Sequence, residues 1–215
     1  SSPNKDSIDS VQVAGQAFDI HITAQDMYGN RVSLYNEPIE ITSNGGFDLV
    51  HEDNSFDNGI KKLSVRFLQT GSFYFVVQNE NRTIRQQSNT ISIKADPGLS
   101  QERTVVTVTP YQIIANGTST AQISVTPKDS LGNNLDIGHN VFISTTAGTL
   151  LNQVVERDGM YSQILQSSSQ AQIAVLSISV DGIELLNKPT VEFIAAGLNR
   201  FDVRDISGEP IPRQI

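Results

Sequence analysis

Phe18-Asp19-Ile20-His21-Ile22-Thr23-Ala24-Gln25-Asp26-Met27-Tyr28-Gly29-Asn30 returns about 103 residues later as Ala121-Gln122-Ile123-Ser124-Val125-Thr126-Pro127-Lys128-Asp129-Ser130-Leu131-Gly132-Asn133. In each copy apolar residues alternate with polar ones, and Asp-x-x-Gly-Asn closes the run. Successive side chains leave opposite faces of a pleat, so the alternation predicts a strand with one buried face. Asp opens a turn by accepting from backbone N–H groups two residues on, and Gly tolerates the positive φ that the turn needs. Each copy therefore reads as a core strand ending at a tight polar turn. Two copies at this spacing in a chain of 215 residues predict two small cores set end to end.

Composition narrows the possible roles. Hydrophobic residues make up 38% of the chain, enough for thin sandwiches whose strands bury a single face. A formal charge of −8 and a pI of about 4.8 argue against nucleic acid or an anionic membrane as partner. Lys61-Lys62 is the only adjacent basic pair. The absence of cysteine rules out disulfides, thiolate chemistry and cysteine-based zinc sites. No apolar run approaches the ~18–20 residues of a membrane-spanning helix, so no membrane insertion is expected of this segment. Ser1 to Asp6 is polar and unlike a signal peptide, and a piece of a longer exported protein is the expectation.

The order of strands follows from the pattern. Residues 1–7 are expected to be a disordered lead, and residues 8–96 the first domain. Its main strand points Phe18, Ile20, Ile22 and Ala24 inward. A strand from Pro38 to Thr42 follows, then a short edge strand at Phe47 to Val50. His51 to Gly59 is expected to be a polar loop closed by the hairpin signal Asp57-Asn58-Gly59. Leu63, Val65 and Phe67 mark the next inward set, then Phe73, Phe75 and Val77 on one strand from Ser72 to Gln78. Ile91 and Ile93 complete the domain. Pro97 and Gly98 open a stretch without apolar pattern, so residues 97–104 are assigned as linker.

Residues 105–196 repeat the scheme as a second domain. Val141 to Thr145 is a strand, with Ala147-Gly148-Thr149-Leu150 after it; Asp158-Gly159 turns the chain into Met160 to Leu165. Ala174, Leu176, Ile178 and Val180 give the cleanest alternation. Residues 197–215 form a tail in which Gln214-Ile215 parallels Gln12-Val13, about twice the repeat length away. That parallel implies the start of a third module.

Five blocks in the second half carry a family resemblance. They are Val108-Thr109-Pro110, Ala115 to Thr120, Val125 to Asn133, Ser144 to Leu150, and Asp158-Gly159-Met160-Tyr161. On these, residues 105–195 resemble a bacterial Ig-like domain of the invasin/intimin type. Residues 8–96 are similar to a related secreted bacterial module and to filamin-type repeats. This rests on Ala14 to Phe18, Ile22 to Asp26, Tyr28-Gly29-Asn30, Asp57-Asn58-Gly59 and Ser88 to Ile93. The resemblance implies two tandem immunoglobulin-like β-sandwiches, an all-β chain, strung with neighbouring Ig-like modules in a surface protein. It brings no catalytic residues.

Several other residues have the chemistry of a site and also a plainer role. His21, His51 and His139 fall in no catalytic motif and read as solvated surface histidines. Asp53 and Asp57, in an acidic loop, and Asp96 and Glu102, at the junction, are the weak calcium candidates, because calcium takes oxygen ligands. The acidic loop lacks the spacing of an EF-hand and a hard-cation site needs several converging oxygens, so no cofactor is expected, with calcium as the alternative. Tyr28, Tyr35 and Tyr111 suit a carbohydrate platform, yet burial is the commoner use of an aromatic ring. Asn81-Arg82-Thr83 and Asn116-Gly117-Thr118 match a glycosylation acceptor. Lys94 is on the outward set of its strand, which argues against an isopeptide crosslink.

The expectation is a non-enzymatic stalk or adhesive segment, extracellular or on a bacterial cell surface. The alternatives are a module binding a host or surface protein or a glycan, and a spacer in a secreted enzyme or surface-layer protein. Asp26, Gly29 and Asn30, with Asp129, Gly132 and Asn133, are expected to hold turns and to form no site.

Overall fold

The computed structural model describes residues 8–200. The lead 1–7 and most of the tail, including the start of a third module, lie outside the described residues. Among the described residues the chain forms eighteen strands and no helix. The fold is all-β.

In the first half, Phe18–Thr23, Ile60–Arg66 and Asp48–Glu52 make one antiparallel sheet with Ile60–Arg66 in the middle. Opposite lie two smaller pieces. Val11–Val13, Ile91–Lys94 and Gly71–Phe73 form one; Ile39–Ser43, Phe75–Asn79 and Arg85–Gln87 form the other. Alternation sends Ile20, Leu63 and Val65 into the space between, where they are buried. Phe67 is at the centre of that space, its ring 4.5 Å from Phe73 and 5.6 Å from Phe75.

The second half pairs Val105–Thr109, Thr120–Thr126, Met160–Gln166 and Thr149–Arg157 in one sheet. The facing sheet holds Gln112–Ile114, Thr190–Ile194, Gln172–Val180 and Val141–Thr145. Here the core is mainly aliphatic, with Ile123, Leu165, Leu176 and Ile178 around Phe193. The two clusters of buried side chains have no member in common. One pairing closes both halves: Val11–Val13 runs parallel to Ile91–Lys94, and Gln112–Ile114 parallel to Thr190–Ile194.

Four sequence expectations are corrected. Ser72 to Gln78 is not one strand but two, Gly71–Phe73 and Phe75–Asn79, in different sheet pieces. At the break the Tyr74 amide donates to Asn44 Oδ1 at 2.8 Å and the Phe75 amide to Ser88 Oγ at 2.9 Å. Val76 is buried in consequence, while Val77 is only half-buried. His51 and Glu52 belong to a strand, and the strand after Gly148 runs on to Arg157.

The fourth correction concerns the linker. Ser100 donates its amide to the Lys128 carbonyl at 2.7 Å, and Thr104 Oγ1 accepts from the Lys128 amide at 3.2 Å. Leu99 packs against the second core. Residues 99–104 are thus tied into the second domain, which leaves a much shorter connection after Lys94.

Candidate functional site at the domain seam

Both Asp-x-x-Gly-Asn segments form the turn read from the sequence, with the same bonds. Asp26 Oδ1 accepts from the amides of Tyr28 and Asn30, each at 2.9 Å, and Oδ2 from Asn30 Nδ2 at 3.1 Å. Asp129 Oδ1 accepts from the amides of Leu131 and Asn133 at 2.9 and 2.8 Å, and Oδ2 from Asn133 Nδ2 at 2.9 Å. Gly29 and Gly132 have φ of 86° and 89°, values that side chains with a Cβ rarely adopt. The Asn30 side chain, then its amide, holds the Asp26 carboxyl below the usual carboxylate range.

Their surroundings differ. Asp26 is exposed, whereas Asp129 is completely buried. A buried carboxylate is tolerated only when its oxygens are satisfied. Asp129 Oδ2 accepts a further bond from the Asp96 amide at 3.3 Å, which comes from the connection between the domains.

Asn133 reaches across into the first domain. Its Nδ2 donates to the Leu68 carbonyl at 3.0 Å, and its Oδ1 accepts from the Thr70 amide at 3.2 Å. Both backbone groups lie in the loop between Ile60–Arg66 and Gly71–Phe73. A primary carboxamide has a donor and an acceptor side by side, so it pairs with a carbonyl and an amide much as a backbone strand would. Leu131 covers the Gly15 bend: a Cβ on Gly15 would stand 3.0 Å from Leu131 Cδ1. Lys94 Nζ meets Asp136 Oδ2 at 3.1 Å at the rim. Beside this pair a shallow groove of about 490 Å³ opens between Lys94, Leu135, Asp136, Ile137, Asp158 and Gly159.

Asn133 and Asp129 keep the turn role expected of them, and their bonds reach beyond the turn. Both hold their own turn and also join two domains. Sequence carried the turn, but not the neighbour that one copy would meet.

The other singled-out residues stay apart. His21 and His51 are exposed. His139 is not a solvated histidine: its Nδ1 lies 2.6 Å from Asp181 Oδ2, and its amide donates to Tyr161 Oη at 2.7 Å. That imidazole, then the Asn140 amide, holds the Asp181 carboxyl below its ordinary range. Asp53 lies 3.5 Å from His51 Nε2, Asp96 Oδ1 accepts from the Gly98 amide at 2.8 Å, and Asp57 and Glu102 are exposed. Among the described residues no three His, Asp or Glu side chains converge as metal ligands would.

Tyr35 is half-buried and meets Phe56 edge-on, with ring centroids 5.0 Å apart. Tyr28 and Tyr111 are exposed, against the expectation of burial. Asn81 and Asn116 each accept from the amide and hydroxyl of the Thr two residues on.

Residues 100–196 match the family model of invasin domain 3. Over these residues the second domain is similar to the invasin/intimin type. The start of the match at residue 100 agrees with the bonds that tie Ser100 and Thr104 into this domain. The chain is also similar to the InvD structure of Yersinia pseudotuberculosis, at 19% identity over 85% of this chain and 54% of that one, with a TM-score of 0.55. At that identity the likeness is one of fold. Similarity extends to the adhesin InvE of Yersinia pseudotuberculosis, at 32% identity over 46% of this chain and 28% of that one, TM-score 0.43. It extends also to invasin, a bacterial integrin-binding protein, at 24% identity over 85% of this chain and 37% of that one, TM-score 0.47. The chain spans between about a quarter and about half of the length of these solved chains.

Proposed function

We propose that this chain is a stalk segment of a bacterial cell-surface adhesin, in which two Ig-like domains are locked end to end to hold a binding domain away from the cell. The observation that supports this reading most is Asn133, whose carboxamide bonds both Leu68 and Thr70 across the seam. A joint made through paired backbone groups fixes the angle between neighbours better than apolar contact alone, because hydrogen bonds are directional. The likeness to invasin/intimin-type domains favours the surface location. The role is mechanical and needs no catalytic group. Its partners are the adjoining modules.

The test is a binding screen of the purified chain against a glycan array and a panel of host surface proteins that includes integrin ectodomains. No saturable binding up to about 10 μM is expected, which corresponds to roughly −7 kcal/mol of binding free energy. Saturable binding below that level, abolished by Tyr28→Ala or Tyr111→Ala, would replace the stalk by a ligand-binding module.

A further inference from the structure

The first domain presents a second copy of the seam-forming turn, and the described residues place nothing against it. Asp26, Gly29 and Asn30 repeat the bonds and the φ angle of Asp129, Gly132 and Asn133. On this turn Met27 is 88% exposed and Tyr28 80% exposed, and Leu34 in the loop that follows is 95% exposed. Large apolar side chains grouped at one end of a domain mark an interaction surface. Tyr28 holds the position that Leu131 holds in the second copy, and Leu131 covers Gly15 of the neighbouring domain.

We propose that the Asp26–Asn30 turn is half of a second seam, which docks on the far end of another Ig-like module built like these two. The Asn30 carboxamide pairs with a backbone carbonyl and amide of that module, as Asn133 pairs with Leu68 and Thr70. Tyr28 lies over a glycine bend, as Leu131 lies over Gly15. The inference rests on the stalk reading and names the residues that continue the array.

The kind of end required is present on this chain itself. In the second domain the Gly117 amide donates to the Ser168 carbonyl at 3.3 Å, as the Gly15 amide donates to the Phe67 carbonyl at 2.8 Å. Gly117 has φ of 75° with open space where a Cβ would point. Ser169 and Gln170, beyond it, are exposed. The far end of the second domain thus offers a glycine bend beside an exposed loop between strands, the same pair of features that the first domain gives to Leu131 and Asn133.

The test joins two copies in the register of the repeat, with Ile215 of the first followed by Ala14 of the second. This keeps the spacing from last strand to turn within one residue of that between Lys94 and Asp129. Isotope labelling of the first copy alone, by ligation, isolates the amides of its Ser168–Ala171 loop. Exchange there is expected to slow at least ~10-fold relative to the single chain, as local opening becomes coupled to undocking. Asn30→Ala in the second copy is expected to abolish the slowing.

A second join, Ile215 to Ser1, keeps the whole second copy and is read in the same way. Unchanged exchange in Ser168–Ala171 with both joins, while Leu68–Thr70 stays protected, overturns the proposal and leaves the stalk reading in place. Unprotected amides in both loops overturn the two together.

Discussion

Asn133 Nδ2 divides its two hydrogens between two domains: one bonds Asp129 Oδ2 of its own turn at 2.9 Å, the other the Leu68 carbonyl of the first domain at 3.0 Å. The turn therefore cannot shift without disturbing the seam, nor the seam without disturbing the turn. Asp129 is the common partner, completely buried and bonded to the Asp96 amide of the connection as well. Local turn chemistry has been put to use as an interdomain joint.

Gly132→Val should destabilise the second domain by ~1–3 kcal/mol, the range for a side chain forced into left-handed backbone. Gly132 has φ of 89°, and the nearest atom to its absent Cβ is Arg103 Nη1 at 4.0 Å. Space is thus not the obstacle; backbone conformation is. A urea melt checks this, and a loss below ~0.3 kcal/mol would contradict the assignment.

Gly148→Ala acts through both space and conformation. A Cβ there would stand 2.4 Å from the Gln166 carbonyl oxygen and 2.8 Å from Phe193 Cζ, at φ of 77°. A loss of about 2–5 kcal/mol is expected, summing strain and overpacking. Since the two cores have no residue in common, the change should lower the urea midpoint of second-domain resonances and spare those of the first-domain core. Equal loss in both would show one cooperative unit.

Lys94→Ala should matter little. Its partner Asp136 and the lysine itself are both more than half exposed, and such pairs contribute ~0–1 kcal/mol. Raising the salt concentration should likewise leave the seam closed. A loss above ~1.5 kcal/mol would mean that the rim pair, not the Asn133 carboxamide, holds the domains together.

Acid should weaken the second domain through Asp181. Its folded pKa lies below the ordinary 3.8 because of the His139 imidazole and the Asn140 amide. The unfolded chain then binds the proton more readily, so the contribution is complete above about 3.8 and fades as pH falls through the folded value. Urea midpoints between about pH 5 and pH 2.5 should fall less steeply for Asp181→Asn than for the parent. Parallel slopes would contradict the role given to this carboxylate.

The strands that alternate cleanly were legible because burial of one face imposes a period of two; Ile20, Leu63, Val65, Leu176 and Ile178 are all buried as read. The break at Tyr74 was not legible, since Phe73 and Phe75 alternate across it and the bonds that cause it come from remote Asn44 and Ser88. Thr149–Arg157 was read only in its first residues, because Asn152 to Arg157 is mostly polar on an edge strand and interrupted by a register shift. The two Asp-x-x-Gly-Asn turns were read correctly as turns. Their different surroundings depend on what packs against each, which the turn sequence does not encode.

Residual dipolar couplings on the whole chain measure the seam most directly. With Asn133 bonded to Leu68 and Thr70, a single alignment tensor should fit the amides of both domains, and Asn133→Ala should split it into two while each domain keeps its own fold. Two unequal tensors in the unmodified chain would mean that the domains turn independently, and the rigid joint would be refuted.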